Sequence, residues 1–200
     1  VELDDYRQAQ SHPTDGPTIF FCGRHEERKG LDVLLAAMAE LGQIDGKDVR
    51  LWIASNGPDT ERLRAQSAGD PRVEWLGRLS DEEKIARLKG ANVFCAPSLH
   101  GESFGVVLIE AMANGSPVIS TDTGAIAHLI TQGCGTLVEA GNVTALATAM
   151  SELLEQSPSV TEAQCRAAHQ RVMSEFSLAE TSRSLLGRCL DAARALPATR

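Results

Sequence analysis

Two carboxylates stand eight positions apart in the stretch HGESFGVVLIEAMANGSPVIS, His100 to Ser120. Glu102 sits between Gly101 and the run Ser103-Phe104-Gly105, just before an apolar stretch. The small residues around it permit a tight backbone and close approach by a ligand. The amides of Ser103, Phe104 and Gly105 would face an anion at a helix start, where N–H groups lack helical partners. Beside such an anion a carboxylate is suited to accepting hydrogen bonds from hydroxyls, not to binding phosphate. Glu110 follows about two helical turns later and so returns to roughly the same side of the element. Two carboxylates so placed suit two polyol pieces, such as a sugar and a ribose. The structural alternative is that Glu102 offsets the helix dipole and Glu110 lies at the surface. Glu110 is embedded in VVLIEAMA, however, and a carboxylate among core residues needs a partner.

A second loop, GRHEERKG from Gly23 to Gly30, brings Arg24, His25, Arg28 and Lys29 just ahead of a helical pattern. Cations at a helix N-terminus oppose its dipole, so this set costs stability unless a phosphate joins it. The plainer alternative is a solvated loop neutralised by Glu26 and Glu27. The loop matches neither GxxxxGK[ST] nor GxGxxG, so the P-loop and dinucleotide fingerprints are both missing. A third loop, GRLSDEEK from Gly77 to Lys84, places Leu79, Asp81 and Lys84 where they could meet a base edge. A plain capped helix explains that loop equally well.

The elements that must position these loops alternate along the chain. Strand-like runs are Thr18 to Cys22, Val49 to Ala54, Val73 to Gly77, Asn92 to Pro97, Pro117 to Ser120 and Gly135 to Ala140. Helical patterns cover Leu31 to Leu41, Asp59 to Gly69 with a capping aspartate, Ser80 to Gly90, Gly105 to Asn114, Gly124 to Ile130 and Val143 to Leu154. Ser80 with Glu83 reads as a capping box. Several strands are continuous apolar runs, which suit a parallel sheet buried on both faces. Six strands alternating with helices predict an α/β, Rossmann-like open parallel sheet with helices on both faces. In such sheets ligands bind beyond the carboxyl ends of the strands, where the three loops fall. After Pro158 the pattern is helical only, Thr161 to Glu175 and Leu178 to Leu196, and forms a C-terminal helical tail.

Composition narrows the partners. The 200-residue chain is 42% hydrophobic and 23% charged, which suits one globular domain with a sizeable core. A net charge of −8 and 4% aromatics argue against nucleic acid, which asks for positive surface and stacking platforms. Five cysteines, at 22, 95, 134, 165 and 189, form no CxxC and read as reduced thiols in a cytoplasmic setting. No run approaches the roughly 20 apolar residues of a membrane span. The chain starts at Val1 without a methionine, and the expectation is a piece of a longer protein.

Taken in order, GRHEERKG, NVFCAPS and ESFGVVLIEAMANGSPVIS resemble the donor-binding half of the family 4 retaining glycosyltransferases, which have the GT-B fold. The resemblance covers residues 18 to about 155 and looks most like the bacterial phosphatidylinositol mannosyltransferases, which use GDP-mannose. It implies that Arg24 and Lys29, with Arg28 and Gly23 beside them, hold the donor diphosphate. It implies that Glu102 meets the sugar hydroxyls, that the Ser103, Phe104 and Gly105 amides meet phosphate and sugar, and that Glu110 binds the ribose. Leu79, Asp81 and Lys84 would lie near the base, and Lys84 leans toward guanine although SDEE is common in users of UDP-sugars. Many members carry Gly-Gly at the sugar-pocket wall where this chain has Gly124-Ala125. No DxD pair ends a strand, so no metal or cofactor is expected beyond the donor itself.

By the same resemblance, residues 1–17 are a linker from an N-terminal acceptor domain, 18–155 the donor-binding domain and 156–200 the C-terminal helices. The acceptor, a membrane lipid or glycan, would be held by the other half, and the full enzyme would sit peripherally at the inner face of the membrane. Leu34, Leu35 and Met38 read as core rather than a lipid site. Alternatives from other classes are a non-catalytic nucleotide-sugar binder, a GT-B sugar-nucleotide epimerase and, least supported, a dinucleotide-dependent oxidoreductase.

Overall fold

The computed structural model describes residues 10–177, 180–183 and 186. Its centre is a six-stranded parallel sheet in the order β5-β4-β1-β6-β7-β8. The strands are β1 (Thr18–Cys22), β4 (Arg50–Ala54), β5 (Val73–Gly77), β6 (Val93–Ala96), β7 (Val118–Thr121) and β8 (Thr136–Val138). A two-stranded hairpin, β2 (Gln43–Ile44) with β3 (Lys47–Asp48), sits beside them.

The central strands are largely apolar because both faces are covered, whereas the edge strand β5 is partly buried and carries an exposed Glu74. Successive side chains alternate between faces. In β1, Ile19 and Phe21 enter one core and Phe20 the other. The first core is closed by α1 (Leu31–Glu40), α2 (Thr60–Gln66) and α6 (Val143–Glu155), through Leu34, Leu63 and Leu146. The second is closed by α3 (Asp81–Gly90), α4 (Val106–Ala113) and α7 (Pro158–Arg171), through Leu88, Ile109, Met112 and Ala168. Each large aliphatic side chain so buried contributes about 1.5–3 kcal/mol. Leu34, Leu35 and Met38 all lie in the first core, as their helical spacing requires. A short helix, α5 (Ile126–Leu129), links β7 to β8.

Local chemistry fixes several ends. Ser80 accepts from the Glu83 amide while the Glu83 carboxylate accepts from the Ser80 amide, the capping box predicted from sequence. Asn142 caps α6 by accepting from the Ala145 amide, and Pro158 opens α7. Asp59 differs from expectation: its side chain makes no capping bond to α2, and Thr60 Oγ1 instead accepts from the Gly57 amide at 2.9 Å. The helix expected from Thr161 begins at Pro158, and its end widens into a π turn, Val172–Phe176. Of the helix expected over Leu178 to Leu196, residues 180–183 and 186 are described and helical; the rest lies outside the described residues. Within the segment read as a linker, the His12 amide donates to Ala86 O at 2.9 Å and its ring meets Trp52 edge-on. Cys22, Cys95, Cys134 and Cys165 are free thiols, and Cys189 lies outside the described residues.

Candidate functional site

After β1 the chain moves outward to β4 and β5, then returns past β1 to β6 and continues to β8. The reversal falls between β1 and β6, and loops diverge there to leave a crevice at the carboxyl ends of the strands. Two of the three loops singled out from sequence flank that crevice, Gly23 to Gly30 and Pro97 to Gly105. They are tied together: the Leu99 amide donates to Arg28 O at 2.8 Å. Gly30 has φ 66°, and a Cβ there would lie 2.0 Å from Pro97 O. Only glycine permits this approach without displacing the second loop.

Lys29 and Glu102 meet across the crevice. Lys29 Nζ lies 2.5 Å from Glu102 Oε2, with the two side chains 16% and 14% exposed. The Ser98 hydroxyl donates to the same carboxylate at 3.1 Å, and the nearby Gly105 amide favours its charged form. Burial would raise the Glu102 carboxyl, but Lys29, Ser98 and Gly105 outweigh it and hold the group below the usual carboxylate range. The Gly105 amide, expected to face a ligand anion, therefore lies beside the protein's own. The loop is backed from behind. The Ala125 amide donates to Glu102 O at 3.3 Å, and a Cβ on Gly124, φ 56°, would lie 2.4 Å from that oxygen. Thr121 Oγ1 donates to Ser98 O.

A second pair lies on the α3/α4 side. Lys84 Nζ is 2.9 Å from Glu110 Oε1, which answers the partner requirement that the apolar run VVLIEAMA raised. Asp81 Oδ1 is 3.2 Å from the same ammonium, with its side chain 94% exposed. Burial alone would lower the Lys84 ammonium; Glu110 and Asp81 outweigh it and hold it above the usual lysine range. Leu79 packs against the second core nearby, as does Cys22 at the end of β1. Burial pushes the Cys22 thiol up to about 11, with Lys84 opposing and Glu110 adding. That leaves it protonated at neutral pH.

The rest of the basic loop divides. Arg28 Nη2 pairs with Glu26 Oε1 at 2.6 Å, and Arg24 Nε with Glu26 Oε2 at 3.3 Å. Arg24 also borders a cleft of 670 Å³ with Asn56, Gly57, Arg64 and Arg78. His25 does not join the cationic set. It is fully buried between Phe21 and Trp75, with Nε2 3.2 Å from Ala54 O and Nδ1 2.9 Å from Thr60 Oγ1. A carbonyl can only accept, so Nε2 carries the hydrogen, and burial holds the imidazole below the usual histidine range. Phe104 is 53% exposed and its ring meets Phe176 edge-on. Ser103 is exposed at the start of α4.

Sequence reasoning did not single out Ser98 or Thr121. The available signal was position: each is a polar side chain at or just past the carboxyl end of a buried strand.

Residues 16–156 match the model of the family described as glycosyl transferases group 1. The chain belongs to that family. Among relatives, a phosphatidyl-myo-inositol mannosyltransferase of Mycobacterium leprae is 43% identical over 76% of this chain and 41% of its own length. A D-inositol 3-phosphate glycosyltransferase of Mycolicibacterium smegmatis is 33% identical over 87% of this chain and 40% of its own. This group 1 chain thus spans about two fifths of the curated relatives it matches. The fold agrees: the crystal structure of Anabaena HepE with UDP and glucose superposes with a TM-score of 0.82, at 20% identity, over 96% of this chain and 55% of that one. Sucrose-phosphate synthase from Thermosynechococcus elongatus gives 0.79 at 29% identity, over 96% of this chain and 51% of that one. The sheet with its two helical layers is therefore one Rossmann-like half of the GT-B glycosyltransferase fold. Among the described residues, no helix of this group 1 chain is long and apolar enough to cross a membrane.

Proposed function

We propose that this chain is the donor-binding half of a retaining hexosyltransferase that moves mannose from GDP-mannose to an acceptor held against an N-terminal half. The acceptor is phosphatidylinositol or another lipid or glycan, reached by a protein peripheral to the inner face of the membrane. One observation carries the reading. Lys29 and Glu102, a cation suited to phosphate and a carboxylate suited to hydroxyls, converge at the reversal point of the sheet. The mannosyltransferase name of the 43% identical relative supports the sugar and the lipid.

The chemistry follows from what these groups can hold. Transfer breaks the bond from the anomeric carbon to the distal phosphate oxygen, and negative charge grows on the departing diphosphate. Lys29, Arg24 and Arg28 stabilise that charge electrostatically, with no metal required. Glu102 accepts from the sugar hydroxyls and fixes the anomeric carbon over the crevice. Glu110 accepts from the ribose, and Leu79, Asp81 and Lys84 border the base. Retention fits attack by the acceptor hydroxyl on the face the diphosphate leaves, with the departing phosphate oxygen taking its proton.

Calorimetric titration with GDP, GDP-mannose, UDP and UDP-glucose, with and without EDTA, tests the reading. Binding of the guanine pair, insensitive to EDTA, is the expected result. Preference for the uracil pair would replace GDP-mannose by a UDP-sugar, and binding of none would remove the donor site.

A further inference from the structure

Glu102 holds two donors at once, the Lys29 ammonium and the Ser98 hydroxyl, with the Gly105 amide close by. On the reading above, the same lysine and the same helix start are what a donor diphosphate needs. A lysine ammonium has donors for two anions, but a diphosphate drawn to Lys29 brings like charge against the Glu102 carboxylate, so the two compete for it. The backbone cannot retreat to share, because Glu102 O is held by the Ala125 amide and the Gly124 backbone closes behind it. The side-chain torsions of Glu102 and Lys29 are what is left to move. A carboxylate that swings off Lys29 beside a diphosphate loses its counter-charge and faces like charge in a largely dehydrated place. Hydroxyl donors are then its only compensation, and an attached sugar supplies them where a bare nucleoside diphosphate does not.

We infer that Glu102 is a specificity-determining residue that competes with the diphosphate for Lys29 and so makes the site favour the nucleotide sugar over the free nucleotide. The inference rests on the donor-site reading and deepens it. Binding of GDP breaks the Lys29–Glu102 pair without replacement; binding of GDP-mannose exchanges it for bonds to the sugar. Once the sugar has left, Glu102 returns to Lys29 and drives the diphosphate out. The carboxylate thus acts on both ends of the cycle, substrate capture and product release.

The test is calorimetric titration of this chain with GDP, GDP-mannose and pyrophosphate, as wild type, Glu102→Gln and Ser98→Ala. Glutamine keeps the shape and removes the charge that holds Lys29. Glu102→Gln is expected to bind GDP and pyrophosphate about tenfold more tightly than wild type, while its preference for GDP-mannose over GDP falls toward unity. Ser98→Ala leaves the charge and removes one donor, so GDP affinity should rise about two- to threefold. GDP affinity that is unchanged or lower in Glu102→Gln overturns the inference. If that variant does not fold, an unchanged GDP affinity in Ser98→Ala overturns it instead. A wild type that binds neither GDP nor GDP-mannose removes the donor-site reading itself, and that result is visible before any variant is measured.

Discussion

Replacing Lys29 with alanine removes one ammonium from Glu102 and, on the proposed reading, from the donor. Loss of a charged hydrogen bond to the diphosphate is expected to weaken GDP-mannose by about 1.5–3 kcal/mol, ten- to a hundredfold, read by titration. The fold should survive, with a smaller loss in urea midpoint, because Ser98 still holds the carboxylate, with the Gly105 amide close by. Unchanged affinity would remove Lys29 from the diphosphate. The same pair sets an acid dependence. The folded Glu102 carboxyl sits below its ordinary value, so the native state binds its proton less readily than the unfolded chain does. Its contribution is therefore complete above the ordinary glutamate value of about 4.3 and is lost as pH falls below that. Urea midpoints of wild type should drop across that window more steeply than those of Lys29→Ala, whose carboxyl has lost its main partner. Residue types and spacing made Lys29, Glu102 and Glu110 legible as candidates. They could not reveal that cation and carboxylate pair with each other, because residues 29 and 102 meet only through the sheet. Nor could they separate His25 from its arginine neighbours: a histidine in a charged loop is buried here by Phe21 of β1 and Trp75 of β5.

Helix α3 carries its own test. Ser80 caps it, and Lys84 on its first turn reaches Glu110 on α4. Ser80→Ala is expected to cost about 1 kcal/mol, a fall in Tm of about 2–4 °C for a chain of this size. Because Lys84 is also held by Glu110, nucleotide affinity should change less than twofold, on the order of 0.4 kcal/mol or below. A larger loss of affinity would mean that the cap positions the base-side loop directly. At this scale the sequence is most informative where local chemistry decides. The capping box and the six strand-like runs all became elements, since burial on both faces favours continuous apolar runs in the central strands. The β2/β3 hairpin was passed over although its signal is present: Asp45 and Gly46 have φ 52° and 71°, the Asp-Gly turn that joins two short strands. Its strands are two residues each, too short for any hydrophobic period to register. Asp59 shows the converse, a good capping residue whose place was taken by Thr60 and the bend at Gly57. The π turn at the end of α7 likewise has no local cause in composition; it arises where Val172 and Phe176 settle onto the second core.

For the whole molecule, strand order matters more than strand identity. Placing β1 between β4 and β6 brings the basic loop against the glutamate loop, and that order follows from crossovers across both faces, not from any run of residues. What the order builds is one wall. Lys29, Glu102, Lys84 and Glu110 all lie at one edge of one sheet, and on the proposed reading they hold a donor from one side. On the proposed reading the acceptor is held by an N-terminal half, and this chain spans only 41% of the M. leprae relative. The consequence is a separation of binding from turnover. This chain alone should bind GDP-mannose yet transfer no measurable label from GDP-[14C]mannose to phosphatidylinositol vesicles. A chain that also contains the N-terminal half should bind the donor more tightly, because closing the crevice removes water from the same ion pairs, and should transfer label. Lys29→Ala in that longer chain should abolish transfer at donor concentrations that saturate the wild type. Transfer by the present chain alone would place the acceptor site within residues described here and overturn the two-walled reading.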